Sequence, residues 1–380
     1  MRSLRKYVPK SKIIFAAYCV IAIFTAAALS ACGQKETGAD EKPQSVESEI
    51  TDTNNNSFAA DADEYLSKID FQGAVLVSVG DDIIFEKGYG LSDVNSPDTG
   101  EINVHSTFEI GSMTKQMTAA CVLMLEEQGL LKTSDTLEKN FPGYKYADKI
   151  TIDMLLHMRS GLADPINDPD SFFPTEVAEQ VKSAELNGTP LEDDIVMQYF
   201  YDVPMKFTPD SRMDYCNMNY YLLACIVEKT SGMSFDQYMQ KNIFDACGMT
   251  DSNLDFQGTS TKAYDAAGRY YSIPKPLAKG SGEVNSSVSD LFKWNRALYS
   301  GKLLKEETLD KMLTTVDGYA CGLFANSISS YHGGLTDVYN SYGEHYNDED
   351  MLVIVLDNTG RSIATPVAGN IRKLYVGMEI

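Results

Sequence analysis

Histidine is scarce in this chain: the four residues His105, His157, His332 and His345 never stand as H-x-H or H-E-x-x-H. That spacing argues against a zinc-dependent hydrolase, and no metal or organic cofactor is expected. The motif G-x-S-x-G is absent as well, which disfavours a Ser-His-Asp hydrolase with its nucleophile on a strand-to-helix turn. Of seven cysteines, Cys19 and Cys32 belong to the N-terminal segment. The remaining Cys121, Cys216, Cys225, Cys247 and Cys321 are odd in number and lack close pairs, so no disulfide framework or zinc knuckle is implied. Positive charge is outweighed, 32 Lys and Arg against 54 Asp and Glu, for a net −22. Such a balance reads as a solvated acidic surface and argues against nucleic acid as a partner.

What is present begins with a basic head, Arg2, Arg5, Lys6, Lys10 and Lys12, followed by a charge-free run from Ile13 to Ala31. Residues 1–31 read as an export signal. The run ends Leu29-Ser30-Ala31-Cys32-Gly33, which resembles the lipobox of bacterial lipoproteins. The resemblance implies that Cys32 carries lipid and holds the protein on the extracellular face of the cell membrane. The run is also long enough to cross a membrane uncleaved, with the same orientation because the basic head stays inside. Residues 32–59 are polar and acidic and cannot offset their ordering entropy by burial, so they read as a flexible tether to a domain over 60–380.

In that domain GAVLVSVGDDIIFEKGYG, from residue 73, reads as a hairpin about Gly80-Asp81-Asp82. Met351 to Leu356 is continuously apolar, as in a strand covered on both faces, and further strands are expected at 319–325 and 336–343. Helical periodicity marks 113–128, 152–158, 192–201, 218–230, 234–246, 287–299 and 362–376. The simplest assembly is an α/β (α+β) fold whose antiparallel sheet, from about 60–108 and 281–380, is flanked by helices. A mainly helical lobe over about 109–280 completes it, with a cleft between the two lobes.

A nucleophilic serine needs a base within hydrogen-bond reach, and Ser-x-x-Lys supplies one at the start of a helix because residues three apart share a face. The pattern occurs at Ser3/Lys6, Ser272/Lys275 and Ser112/Lys115, and only the last leads into a helical run, ended by Gly129. Read alone, the segment fits equally an N-cap serine beside a solvated lysine. A cation in a first turn opposes the helix dipole, however, and that placement lowers a lysine pKa.

FEIGSMTKQMTAACVLMLEEQGLLKTSDTLEKNFPGY and ITIDMLLHMRSGLADP closely resemble the serine β-lactamase and penicillin-binding-protein superfamily, on its class C β-lactamase and D-alanyl-D-alanine carboxypeptidase branch. The likeness continues through KFTPDSRMDYCNMNYYLLACIVEKTSGMSFDQYM, SGEVNSSVSDLFKWNRALYSG and YHGGLTDVYNSYG and covers nearly all of 60–380. It implies a β-lactamase/transpeptidase-like fold and an acyl-enzyme on Ser112. Tyr215 of the Tyr-x-Asn motif then shuttles protons with Lys115, and Asn217 orients Lys115 and the substrate amide. The third motif falls on His332-Gly333-Gly334, where glycine lets a substrate backbone approach, and the amides of Ser112 and Leu335 form the oxyanion hole. Without the first motif, Tyr215-Cys216-Asn217 would read as a turn asparagine beside a buried tyrosine, and His332-Gly333-Gly334 as a glycine turn with a surface histidine.

Departures from the family pattern are Met158-Arg159 in the His157–Gly161 segment, where Thr-His-Thr-Ser-Gly is usual, and Pro209-Asp210 where Pro-Gly is usual. A histidine at 332 in place of lysine should hold a substrate carboxylate weakly and only when protonated, below about pH 6.5. The expected substrates are small molecules or peptides, an ester or D-amino-acid peptide before a β-lactam. A non-catalytic surface lipoprotein that binds penicillin or cell-wall peptide would use the same residues.

Overall fold

The computed structural model describes residues 46–380, apart from 188–190, 193, 256 and 273. The expected signal over 1–31, Cys32 and the tether as far as residue 45 lie outside the described residues. The chain divides into Met1–Asn54 and Asn55–Ile380. The described residues of the first unit, 46–54, are helical and open α1, Val46–Lys68. Within the expected tether over 32–59, residues 46–59 are therefore helical. Phe58, at the end of that stretch, is buried and continues the helical spacing of the buried Ala62 and Leu66 at the start of the expected domain.

Six strands form one antiparallel sheet in the order β2-β1-β8-β7-β6-β5. They are β1 Gly73–Val79, β2 Asp82–Tyr89, β5 Phe324–Ala325, β6 Ser329–Leu335, β7 Asn340–Tyr346 and β8 Met351–Asp357. The expected hairpin is β1–β2, and β8 is buried along its whole length. Its alternate residues serve two cores, as the period of a strand requires. Met351, Val353 and Val355 meet α1 and the C-terminal helix Ala364–Tyr375, whereas Leu352, Ile354 and Leu356 join the larger core built on α2, Thr114–Glu127. Burial of each such side chain contributes roughly 1.5–3 kcal/mol. From Thr114 to Leu125 every residue of α2 except Gln116 is buried. It lies against α3, Asn217–Ser231, buried from Asn217 to Val227. A two-stranded piece, β3 Phe108–Glu109 with β4 Asn285–Ser286, leads directly into the turn before α2.

The expected strands at 319–325 and 336–343 are displaced. Residues 336–339 are the turn between β6 and β7, and their apolar character comes from Val338 and Tyr339, which are wholly buried without being in a strand. Ser329–Leu335, rich in Ser and Gly, has little intrinsic strand preference and owes its conformation to pairing with β7. The helices Thr175–Asn187 and Glu306–Leu313 were not expected from the sequence.

Candidate active site

The nucleophile candidate sits on a tight turn. Gly111 has φ +50°, the left-handed region that glycine enters without strain, and Gly111–Met113 form one 3-10 turn before α2. Ser112 does not cap that helix: the cap position is Met113, without a side-chain hydrogen bond. The alternative of an N-cap serine beside a solvated lysine therefore does not hold, because Lys115 is also wholly buried.

Lys115 Nζ lies 2.9 Å from Ser112 Oγ, 2.7 Å from Asn217 Oδ1 and 2.6 Å from the Ser281 carbonyl oxygen. Burial lowers its pKa to about 7, against the opposing charge of Asp164. A neutral amine has two N–H groups and one lone pair. Asn217 Oδ1 and the Ser281 carbonyl can only accept, so they take the two N–H groups. The lone pair can then accept from the Ser112 hydroxyl.

Tyr215 enters from the segment before α3, and Lys115 Nζ is 5.0 Å from the centre of its ring. Its ring stands edge-on to Tyr319 at 6.0 Å and 6.2 Å from the His332 ring. Ser112, Lys115, Tyr215 and Asn217 are thus brought together, although they come from separate parts of the sequence.

His332 is positioned otherwise than a cleft-wall anchor. It is 3% exposed; Nδ1 donates to the Gly333 carbonyl at 2.5 Å and Nε2 accepts from the Tyr319 hydroxyl at 3.2 Å. Burial, with the charge of Lys115, lowers its pKa to about 3, so it is neutral through the ordinary histidine range. The expectation of a protonated His332 holding a carboxylate below about pH 6.5 is overturned.

Gly334 also differs in role. A Cβ there would stand 1.9 Å from the Ile110 carbonyl oxygen, so this glycine admits the backbone of the nucleophile turn rather than that of a substrate. At Gly333 the nearest atoms to an added Cβ are 3.6 Å away, an ordinary contact. A Cβ on Gly111 would come within 3.0 Å of the Leu335 nitrogen, which puts that amide against the turn bearing Ser112.

Sequence reasoning missed the Ser281 carbonyl, which carries no side-chain signature, and the pair Asp164 and Asn167, whose only signal is an Asx-type spacing after Gly161. Ser272 of the other Ser-x-x-Lys is buried and donates to Glu109 Oε1 at 2.6 Å, a structural bond. The two departures Arg159 and Asp210 bind each other: Arg159 Nε donates to Asp210 Oδ1 at 2.8 Å, and Nη1 reaches Asp317.

Sheet, helical core and Ser-Lys-Tyr cluster define a serine hydrolase of the β-lactamase/transpeptidase kind. Residues 58–377 match the family described as Beta-lactamase, and the chain belongs to that family. It is 26% identical to PbpX of Bacillus subtilis (strain 168) over 348 residues, 87% of this chain and 81% of that protein. With penicillin-binding protein 4* of the same organism it shares 28% identity over 66% of this chain, and the match spans 57% of that relative's length. Among solved structures, a penicillin binding protein from Bacillus halodurans superposes with a TM-score of 0.69 at 23% identity, covering 82% of this chain and 99% of that one. The D-amino acid amidase from Ochrobactrum anthropi SV3 gives 0.69 at 17% identity, over 86% of this chain and 98% of that one.

Proposed function

We propose that the protein cleaves an ester or amide through an acyl-enzyme on Ser112, in the manner of the class C β-lactamase and D-alanyl-D-alanine carboxypeptidase branch. The observation that carries this reading is the buried Lys115 amine, held by two acceptors and 2.9 Å from the Ser112 hydroxyl. Lys115 takes the Ser112 proton as the oxygen attacks the carbonyl carbon, and the developing oxyanion is met by the amides of Ser112 and Leu335. Each such donor contributes about 3 kcal/mol to the transition state. The proton then passes by way of Tyr215 to the leaving group, and water, activated by Tyr215, releases the acid.

The neutral, enclosed His332 supplies no cation for a substrate carboxylate, which favours acyl groups that are uncharged at that position. Neutral esters and D-amino-acid amides or peptides rank above β-lactams on this ground. The lipobox-like segment supports a further proposal, that Cys32 carries lipid and tethers the enzyme to the outer face of the membrane. A mature N-terminal peptide in which Cys32 is unmodified and still joined to Ala31 would exclude this.

The test of the catalytic reading is peptide mapping after a fluorophosphonate probe, with a hydrolysis screen of p-nitrophenyl esters, D-alanyl peptides and nitrocefin. The label is expected on Ser112. Ser112→Ala should lose label and turnover, on the order of 10³-fold or more in kcat. Full esterase activity in Ser112→Ala would reject the mechanism.

A further inference from the structure

Asn217 can serve Lys115 only if its amide faces one way. With Oδ1 toward the lysine, the amine keeps its lone pair for Ser112; with Nδ2 toward it, the asparagine would take that lone pair itself. The contacts around Asn217 settle the direction. Asn217 Nδ2 donates to Asn167 Oδ1 at 2.8 Å, and Asn167 Nδ2 donates in turn to Asp164 Oδ2 at 2.8 Å. The same carboxylate oxygen accepts the backbone N–H of Asn217 at 2.8 Å, and Oδ1 accepts from the Ile166 amide at 3.3 Å. Three N–H donors thus converge on a carboxyl that can only accept when ionised; burial raises its pKa, and the Asn217 and Ile166 amides and the charge of Lys115 oppose that rise. Two amides in series, each with one donating and one accepting end, inherit their direction from that carboxyl.

We infer that Asp164 and Asn167 are positioning residues that orient the Asn217 amide and thereby leave the Lys115 lone pair directed at Ser112. The inference rests on the reading of Lys115 as the base for Ser112. It adds a function to a loop, residues 162–168, that reaches the base by way of Asn217. The loop is held from both sides: the Ala163 amide donates to the Pro204 carbonyl at 3.0 Å, and Ala163 O accepts from Cys216 Sγ at 3.7 Å. Because Asp164 binds the backbone of Asn217 as well as its relay partner, the amide and the start of α3 move as one unit.

Asp164 has a second, separable effect. Among the groups facing Lys115, the charge of Asp164 supports its protonated form, whereas burial raises the Cys216 thiol well above its usual value and keeps it uncharged. The rings of Tyr215 and Tyr220 stand 5.0 and 5.8 Å from Nζ, and His332 is neutral. Removing the Asp164 charge should therefore lower the Lys115 pKa further and make the amine available at lower pH.

The experiment compares the full chain with Asn167→Leu, Asp164→Asn and Ser112→Ala, by kcat and KM on a neutral p-nitrophenyl ester across pH and by the rate of fluorophosphonate labelling. Asn167→Leu deletes the acceptor that orients Asn217. It should lower kcat and labelling roughly 10- to 100-fold with KM little changed. Asp164→Asn should displace the acid limb of kcat/KM to lower pH, a shift that mere loss of folded protein does not produce. Wild-type kcat in Asn167→Leu together with an unmoved acid limb in Asp164→Asn would overturn the relay while leaving the nucleophile intact. Full activity in Ser112→Ala would instead remove the catalytic reading, and the relay with it.

Discussion

Burial decides which side chains at this site carry charge near neutrality. Lys115, enclosed on all sides, is brought down to about 7, so its base form is present at ordinary pH; His332, enclosed beside it, is brought down to about 3 and stays uncharged. The lysine gains a function by desolvation and the histidine is excluded from one. For His332 the outcome is measurable with two substrates that differ only in a free carboxylate. The ratio of their KM values should stay constant between about pH 8 and about pH 5, because the ordinary histidine titration near 6.5 is missing from this range. A ratio that favours the carboxylate substrate below about pH 6.5 would mean that His332 protonates and that its contact with Tyr319 opens. The sequence could not reveal this. A histidine beside two glycines has the look of an exposed turn, and its partner, Tyr319, lies on a segment with no recognisable motif.

At the scale of elements, a close backbone approach assembles the site, and it is written as a glycine. β6 lies against the turn before α2, and Gly334 allows it: Gly334→Ala would place a methyl 1.9 Å from the Ile110 carbonyl. That substitution should cost about 1–3 kcal/mol and greatly reduce kcat, since the Leu335 amide would be pushed from Ser112. Gly333→Ala, one residue earlier and with room to spare within the protein, should keep its urea midpoint. Equal effects of the two would contradict the packing described. Legibility follows the same physics. The hairpin β1–β2, the apolar β8 and the helices at 114–127 and 217–231 were visible because local periodicity and turn residues agree with the fold. Ser112, Lys115 and the Tyr215–Asn217 triplet were legible by motif. β6 was not, because its conformation is imposed by β7, nor was the compensation of Arg159 by Asp210. Asp210 adopts φ +65° where the family pattern has glycine, and the guanidinium grips both its carboxylate and its carbonyl. Those two departures, separately puzzling in the sequence, form one contact in space.

For the molecule as a whole, the back of the sheet matters as much as the face carrying the site. Phe58 is 5% exposed, with its ring edge-on to Phe85 at 6.4 Å and to Tyr375 at 5.5 Å, so α1 joins the second strand to the last helix. Phe58→Ala should lower stability by about 3–5 kcal/mol, read from the urea midpoint, and leave the folded enzyme's kcat unaltered. A midpoint unchanged from wild type would restore the tether reading for this stretch. The sheet also joins distant ends of the chain. β1 pairs with β8, and Ser341 Oγ donates to the Ile110 carbonyl across 231 positions of sequence. A ribosome therefore delivers Ser112 and Lys115 long before the residues that enclose them and supply the Leu335 amide. Until Ser281 and β6 arrive, the lysine is wetted, holds its proton at the ordinary value of about 10.4, and the serine beside it is as unreactive as any other. Reactivity is thus withheld during translation, and a chain cut short before its final third leaves the ribosome harmless to the esters and amides around it.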